Sequence, residues 1–584
     1  MIPLHIVEKI GHYVLPPHYR LGIEHKQLST RQILTADLVT LMSVCRVWRT
    51  AMYSRFYQSA LLRINNCEIP ASRRTPTKHK IPPADSPFLQ NYQSSVRELV
   101  VCIEMSALIS QQGISQMSTD LTLGSVQRII FDFIPDVDDL PEPARSNIVE
   151  ASLISEVVPQ NLRAVADRIL ATAPNARNVA FHRTMPFRAS LTFSSMDFYM
   201  TKCLGVLLPQ QVDGLYSLGM PVVSSVLEAL APRALRTMIA RHTASKEHEL
   251  ELAIRNHRTL ERLHTSGSRN LQISDLIVDS SSSDGTRVFP QLRHLVIEHN
   301  SEMRPESAKQ PRVNPFPCLE TLTCRGVFPF SSPLIFADGY LRLRHIDIEL
   351  DLELLELWQR ARVLDKHAFA GLSFLNLGWT RSSHRHYSLA CAQRLTRTAV
   401  ELSASTCVLH LFNRMGVDLS STLQELEFSQ FLQHLEVKDI MLDVDQLVGL
   451  LSRLPRLRSA AVGFQCSLEC SEHGEAPEQD IKASQARLRG SSTASVRELR
   501  INAHGYRHFA KAAENAVLLA DMLPSVQRMG IYSTSRSLTS ELTIIDSIRK
   551  RPVYMGNEQL ALVEFSMVCS WTNEPLQRGW PFKQ

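Results

Sequence analysis

The chain has 584 residues, 44% of them hydrophobic and 21% charged, which argues against disorder of the whole chain and leaves room for two or more structural units or one extended repeat array. Its 63 Lys+Arg and 58 Asp+Glu are interspersed and leave a net charge of only +5. A dedicated nucleic-acid binder would show a strong basic excess or a basic stripe, so that class is set aside.

Residues 1–64 read as a helical module. Ile2, Ile6, Val7, Ile10 and Val14 form one apolar helix face, and Pro3 is tolerated in the first turn. Leu15-Pro16-Pro17 ends that helix. Leu38, Leu41, Met42, Cys45, Trp48, Met52 and Phe56 repeat at the spacing of a second amphipathic helix, with Thr35 or Asp37 as its cap. Residues 65–93 are a linker rich in Pro, basic and polar residues, carrying Arg73, Arg74, Lys78 and Lys80.

From 94 to 584 a short pattern recurs: an apolar residue, two variable residues, an apolar residue, one variable residue, an apolar residue. It starts at Val96, Val126, Leu292, Leu319, Leu343, Leu372, Leu432, Leu457, Val496, Val526 and Leu560, often behind Pro or Ser. Matches between 170 and 260 are weak, at Ala176 and Leu260, and 299–317 and 467–494 read as insertions. Helix-like runs separate the strands, at Leu162–Leu170, Leu352–Leu364, Ala390–Leu402 and Ala510–Leu523. Alternating strand and helix implies an α/β fold with parallel strands. One strand–helix unit cannot bury its inward row alone, whereas stacked units can, so an irregular solenoid is expected. An ordinary α/β domain with several buried strands is the competing reading.

The two helices carry a resemblance. Ile2-Pro3-Leu4-His5-Ile6-Val7-Glu8-Lys9-Ile10 resembles the opening of an F-box, and Leu38 to Arg49, with Val44-Cys45-Arg46 and Trp48-Arg49 at the family spacing, resembles its more diagnostic half. His5 stands where the family has an acidic residue, and Leu15 to Ala36 is longer than the family's loop. With the repeats behind it, the chain looks like the divergent F-box/leucine-rich-repeat proteins of some fungi. The resemblance implies a non-enzymatic adaptor that docks on the Skp-type adaptor of a cullin–RING ubiquitin ligase. Ile2, Pro3, Ile6, Ile10, Leu38, Leu41, Val44, Cys45 and Trp48 would make that apolar contact. The alternative is that these helices only cap the array, as terminal repeats require.

Residues pointing outward from the expected strands are the candidates for binding a protein substrate: His294, Val296, Thr321, Thr323, His345, Asp347, His434, Glu436, Glu498 and Arg500. Their mixed charge suits a protein surface better than phosphate or membrane. Phosphate loops, a nucleophile elbow and a His-Glu-x-x-His zinc motif do not occur, so no enzyme and no cofactor is expected. Cys466, Cys470 and His473 make only half a zinc site, and no metal is expected. The 11 cysteines have no regular spacing, and Cys102 and Cys324 read as small buried hydrophobes of a reducing compartment. No signal peptide, glycosylation acceptor or membrane-length apolar run is found, which predicts a cytoplasmic or nuclear protein without membrane or nucleic-acid partners.

Overall fold

The computed structural model describes residues 58–65, 83–84, 91–108, 121–134, 151–183, 202–218, 220, 224–231, 234–241, 246–266, 273–277, 287–298, 314–325, 343–350, 371–379, 389–413, 418–464, 496–502, 525–533, 562–568 and 575–580. The two expected F-box-like helices, the basic tract of the linker, the 467–494 insertion and the runs Leu352–Leu364 and Ala510–Leu523 lie outside them. The chain divides into two compact units, Met1–His299 and Asn300–Gln584.

In the first unit the described strands pair in chain order, and every pairing is parallel. They are β1 (Ser59–Ile64), β2 (Glu98–Glu104), β3 (Arg128–Ile134), β4 (Asn178–Arg183), β5 (Gly214–Leu218), β6 (Thr237–Arg241), β7 (Arg262–Ser266) and β8 (His294–Glu298). Helices α1 (Ala151–Thr172), α2 (Ser224–Leu230), α3 (Lys246–Arg255) and α4 (Ile273–Ile277) connect some of them. β1 lies inside the stretch expected to be helical, so the array begins before residue 64. Pro83 and Ala84 of the linker meet β1 at Leu61, where the Ala84 N–H donates to the Leu61 carbonyl at 2.7 Å.

The second unit repeats the plan. β9 (Thr321–Arg325), β10 (His345–Leu350), β11 (Phe374–Trp379), β12 (Val408–Asn413), β13 (His434–Leu442), β14 (Ser459–Phe464), β15 (Glu498–Asn502), β16 (Arg528–Ser533) and β17 (Leu562–Val568) are parallel neighbours in that order. Only β18 (Pro575–Trp580) pairs antiparallel, with β17. Helices α5 (Leu389–Leu402), α6 (Ser420–Glu425) and α7 (Val444–Ser452) lie between strands. The α/β class and the parallel, solenoid-like order match the expectation. The boundary between the two units falls in the stretch 299–317 that was read as an insertion.

The recurring motif explains the order. Its first residue stands two positions ahead of each strand, and Val96, Val126, Leu235, Leu260, Leu292 and Leu319 are all 0% exposed there. The next inward residues, such as Leu99, Ile129, Leu263 and Leu295, stack in the adjoining layer and are equally buried. Between units the backbone makes a fixed step: one carbonyl ahead of each strand accepts two successive N–H groups of the next. Gln58 O accepts from Arg97 (2.8 Å) and Glu98 (3.1 Å), and Arg97 O accepts from Gln127 (2.9 Å) and Arg128 (3.1 Å). The step recurs from Gln433 O to Arg458 and Ser459, at 2.7 and 3.0 Å.

β5 and β12 escaped the motif search because their anchors are altered. In β5 the third inward position is Ser217, whose hydroxyl donates to the Met220 carbonyl. In β12 the leading position is Thr406, fully buried, with its hydroxyl donating to Ser403 O at 2.9 Å. Local hydrogen bonds thus let a polar residue stand where Leu is usual. α7 opens on a capping box, Gln446 N–H to Asp443 Oδ1 at 2.8 Å and Asp443 N–H to Gln446 Oε1 at 3.1 Å. The register of β13 against β14 shifts between Val437 and Met441, where a Cβ on Gly463 would come within 2.7 Å of the Ile440 carbonyl.

The turn after α3 is closed by Asn256. Its carboxamide oxygen accepts from Leu235 N–H at 2.8 Å, and its Nδ2 donates to Leu252 O at 2.9 Å, all buried. Asn256→Ala would strand a buried N–H, so we expect a loss of about 1–3 kcal/mol in unfolding free energy, read from urea midpoints. An unchanged midpoint would refute the assignment of this side chain as the tie between α3 and β6.

Candidate functional site

Alternate strand residues that do not face the inward layers form parallel rows on the opposite face of each sheet. The two units use that face differently.

In the first unit it is largely closed over β2 to β4. The middle row, Leu61, Val100, Ile130, Ala180, Tyr216 and Ile239, is apolar before it reaches His264 and Val296, and Val100 is 1% exposed. Polar residues of the flanking rows are buried at Ser59, Glu98, Arg128, Asp132 and His182, while Arg63 is exposed and Asn178, Thr237 and Arg262 keep part of their surface. Ser59 Oγ donates to Glu98 Oε1 at 3.2 Å, Arg128 Nη1 stands 3.6 Å from Glu98 Oε2, and the Arg128 guanidinium lies 5.0 Å from the Tyr216 ring centre. On the other side Cys102, Asp132 and His182 are register neighbours, and His182 Nδ1 is 2.7 Å from Asp132 Oδ1. Burial, reinforced by Asp132, raises the Cys102 thiol pKa. Asp132 stands between thiol and imidazole, so His182 is not in line to take the thiol proton, and the row is not an activated nucleophile. The general expectation that outward residues line an open face therefore fails at Glu98, Arg128, Cys102, Asp132 and His182, which are buried within the chain.

In the second unit the face is half-open and holds eight of the ten expected candidates. Thr321, His345, Phe374, Val408, His434, Ser459 and Glu498 share one register row. Thr323, Asp347, Asn376, His410, Glu436, Ala461 and Arg500 share the next. The His345 ring stacks on Phe374 with centres 4.0 Å apart, and Phe374 meets His410 edge-on at 5.1 Å. His410 Nδ1 lies 3.6 Å from Glu436 Oε2. Asn376 Nδ2 donates to Asp347 Oδ1 at 2.7 Å, and Arg500 Nε donates to Glu498 Oε1 at 2.6 Å. Partial burial lowers the His434 pKa, with Arg458 and Arg500 acting in the same direction and Glu498 opposing them. Thr323 and Asp347 are buried, while the rest of the eight keep part of their surface. This arrangement places rings, amide and carboxylate side by side on a half-open surface.

The remaining two candidates, His294 and Val296, sit half-buried on β8 of the first unit, the last strand of that run. The adaptor-binding candidates Ile2, Pro3, Ile6, Ile10, Leu38, Leu41, Val44, Cys45 and Trp48 lie outside the described residues, as do Cys466, Cys470 and His473. Sequence reasoning missed Phe374, Asn376 and His410. The motif at Leu372 places the first two on a strand, but outward residues were taken from other strands, and β12 was not seen at all. Among the described residues no group of three His, Cys, Asp or Glu could hold a metal, and no helix is long and apolar enough to cross a membrane. No family model matches the sequence, and no curated protein matches it.

One ionisable group stands apart from both faces. Glu249 on α3 is 0% exposed, and neither carboxyl oxygen has a hydrogen-bond partner among the described residues. Burial pushes its pKa up to about 8, so the folded protein holds a proton that the unfolded chain has released above about 4.5. The stability from the protonated form is fully present below that lower value and is lost as pH rises to about 8. We expect the urea midpoint to fall between mildly acidic and mildly alkaline buffer by the equivalent of a few kcal/mol, on the order of 1.4 kcal/mol per pKa unit. Glu249→Gln should flatten that slope. Equal slopes in the two proteins would show that Glu249 is not its source.

Proposed function

We propose that the chain is a substrate-recognition adaptor of a cullin–RING ubiquitin ligase, with F-box-like helices that recruit the Skp-type adaptor and a leucine-rich-repeat-like array that holds a protein substrate. The observation that carries this reading is the segment Val44-Cys45-Arg46-Val47-Trp48-Arg49 ahead of an array of parallel strands. The array supports it physically. Parallel stacking presents one residue of each successive strand in a continuous row, so a broad surface arises from short units. In the second unit that row mixes rings with both charges, and it suits a folded protein or an extended segment of one.

A scaffold without a ligase role is the second reading, and the position of β1 favours it. Ser59 opens the first described strand, so any helices formed by the preceding segment would adjoin the first layer of the array, where a cap belongs. The two readings part on one measurement. Purified full-length chain should capture a Skp-type adaptor, and Leu41→Ala combined with Trp48→Ala should weaken that capture by about tenfold or more, about 1.4 kcal/mol or more. If the parent chain captures no adaptor, and the double variant instead lowers the unfolding midpoint, the helices are a cap and the ligase reading fails.

A further inference from the structure

The rim ahead of the strands carries a charge pattern that the fold does not require. The residue just before each strand register is the one whose carbonyl makes the inter-unit step, and its side chain points away from the buried anchor. In the first unit two pairs of these rim positions carry opposite charges, and Arg97 donates to the carbonyls of Ser94 and Ser125. Arg177 lies 3.7 Å from Asp213, and Arg236 lies 3.7 Å from Glu261. In the second unit Glu320 is followed by Arg344, but the neighbours of Arg458 are Gln433 and Arg497, and those of Arg497 are Arg458 and Gln527. Both arginines are exposed, and among the described residues neither has an ion pair. Adjacent like charges on neighbouring strands cost stability. The carboxylate closest along the chain, Glu498, accepts instead from Arg500.

The next rim position out, three residues before the register, is a small or neutral residue in the other described units, such as Ser95, Ser125, Asn175, Gln211, Thr259 and Ser405. In β13 and β14 it is Phe431 and Arg456. Phe431 is 56% exposed, and the Arg456 guanidinium lies 5.6 Å from its ring centre. Arg453, nearby, is different in kind, because its guanidinium donates to the carbonyls of Leu423, Gln424, Leu426 and Gly449 and ties α6 to α7. The patch of Phe431, Arg456, Arg458 and Arg497 has no such structural duty among the described residues.

We propose that this rim binds an acidic peptide segment of a partner protein, with carboxylates on Arg458 and Arg497 and an apolar or aromatic residue on Phe431. Parallel strands stand about 4.8 Å apart, so the two guanidinium groups can each fork onto one of two nearby carboxylates of the same segment. A peptide fits better than nucleic acid. The cationic stretch is two strands wide and flanked by the neutral Gln433 and Gln527, whereas a phosphate backbone calls for a long stripe. The inference takes from the proposed function only that the array binds protein, and its test needs no ligase component.

The probe is a fluorescein-labelled Glu-rich peptide with a central Trp, titrated with full-length chain and followed by anisotropy, beside a Gln-for-Glu version. We expect saturable binding of the acidic peptide alone, weakened by salt. Arg458→Gln with Arg497→Gln should lower affinity by about tenfold, and Phe431→Ser should lower it a few-fold, with unfolding midpoints at or above the parent's, since repulsion is relieved. Equal affinity for both peptides, or an acidic peptide that binds the double variant as well as the parent, overturns the proposal. So does an oligonucleotide that outcompetes the peptide and loses affinity with the same substitutions. Failure here leaves adaptor capture by the N-terminal helices untouched, and loss of adaptor capture leaves this binding in place.

Discussion

Everything in this fold depends on an inward row that no single unit can bury. A lone strand with residues such as Val96, Leu99 and Val101 would leave one edge of each side chain in water. Burying apolar surface is worth about 25 cal/mol per Å², so each added neighbour stabilises both itself and the unit before it. The shared carbonyl that accepts two successive N–H groups holds neighbours in one register, and this keeps the layers aligned. Spacing along the chain can then vary widely, from 23 residues between Gly214 and Thr237 to 50 between Arg128 and Asn178, without disturbing the stack. Extra residues leave the sheet between strands, where longer loops add little entropic cost.

The opposite face is where the two units diverge, and desolvation decides what each can do. In the first unit the Glu98–Arg128 and Asp132–His182 pairs are buried. Buried pairs of this kind gain little net stability over apolar packing, but losing one partner leaves an uncompensated group. They therefore fix strand register more than they add free energy. In the second unit the equivalent rows stay half-open, and His345, Phe374 and His410 keep ring surface for contact. The same backbone plan thus gives one face whose charged pairs are buried and one whose polar rows stay half-open.

The inward row was legible in the sequence mostly where Leu, Ile or Val filled it, and eleven of the described strands follow motifs read that way: those led by Val96, Val126, Leu292, Leu319, Leu343, Leu372, Leu432, Leu457, Val496, Val526 and Leu560. It was not legible where Ser217 or Thr406 satisfied itself locally, because a motif scan weighs polarity and not hydrogen bonding. β6, led by Leu235 with Met238 and Ala240 behind, matched the pattern but with residues too weak to stand out. Outward candidates were legible as positions only. Whether such a position is open is a property of what lies over it, and period-two alternation is silent on that. Hence Cys102 reads correctly as buried, yet it belongs to the outer row, next to Asp132 and not among the inward aliphatics.

This separation of duties also locates where function can reside. Each unit fixes its inward residues by packing and its step carbonyl by hydrogen bonding, and neither constrains the side chains between them. Rim residues such as Arg177 and Asp213 use that freedom to neutralise one another, and surface pairs of this kind contribute about 0–1 kcal/mol. Because the pairing is worth so little, its absence at Arg458 and Arg497 among the described residues costs the fold little. A residue that stabilised the array strongly could not be spared for recognition. Arg453 illustrates the limit: with four backbone carbonyls to serve, its guanidinium is fully committed to joining α6 and α7.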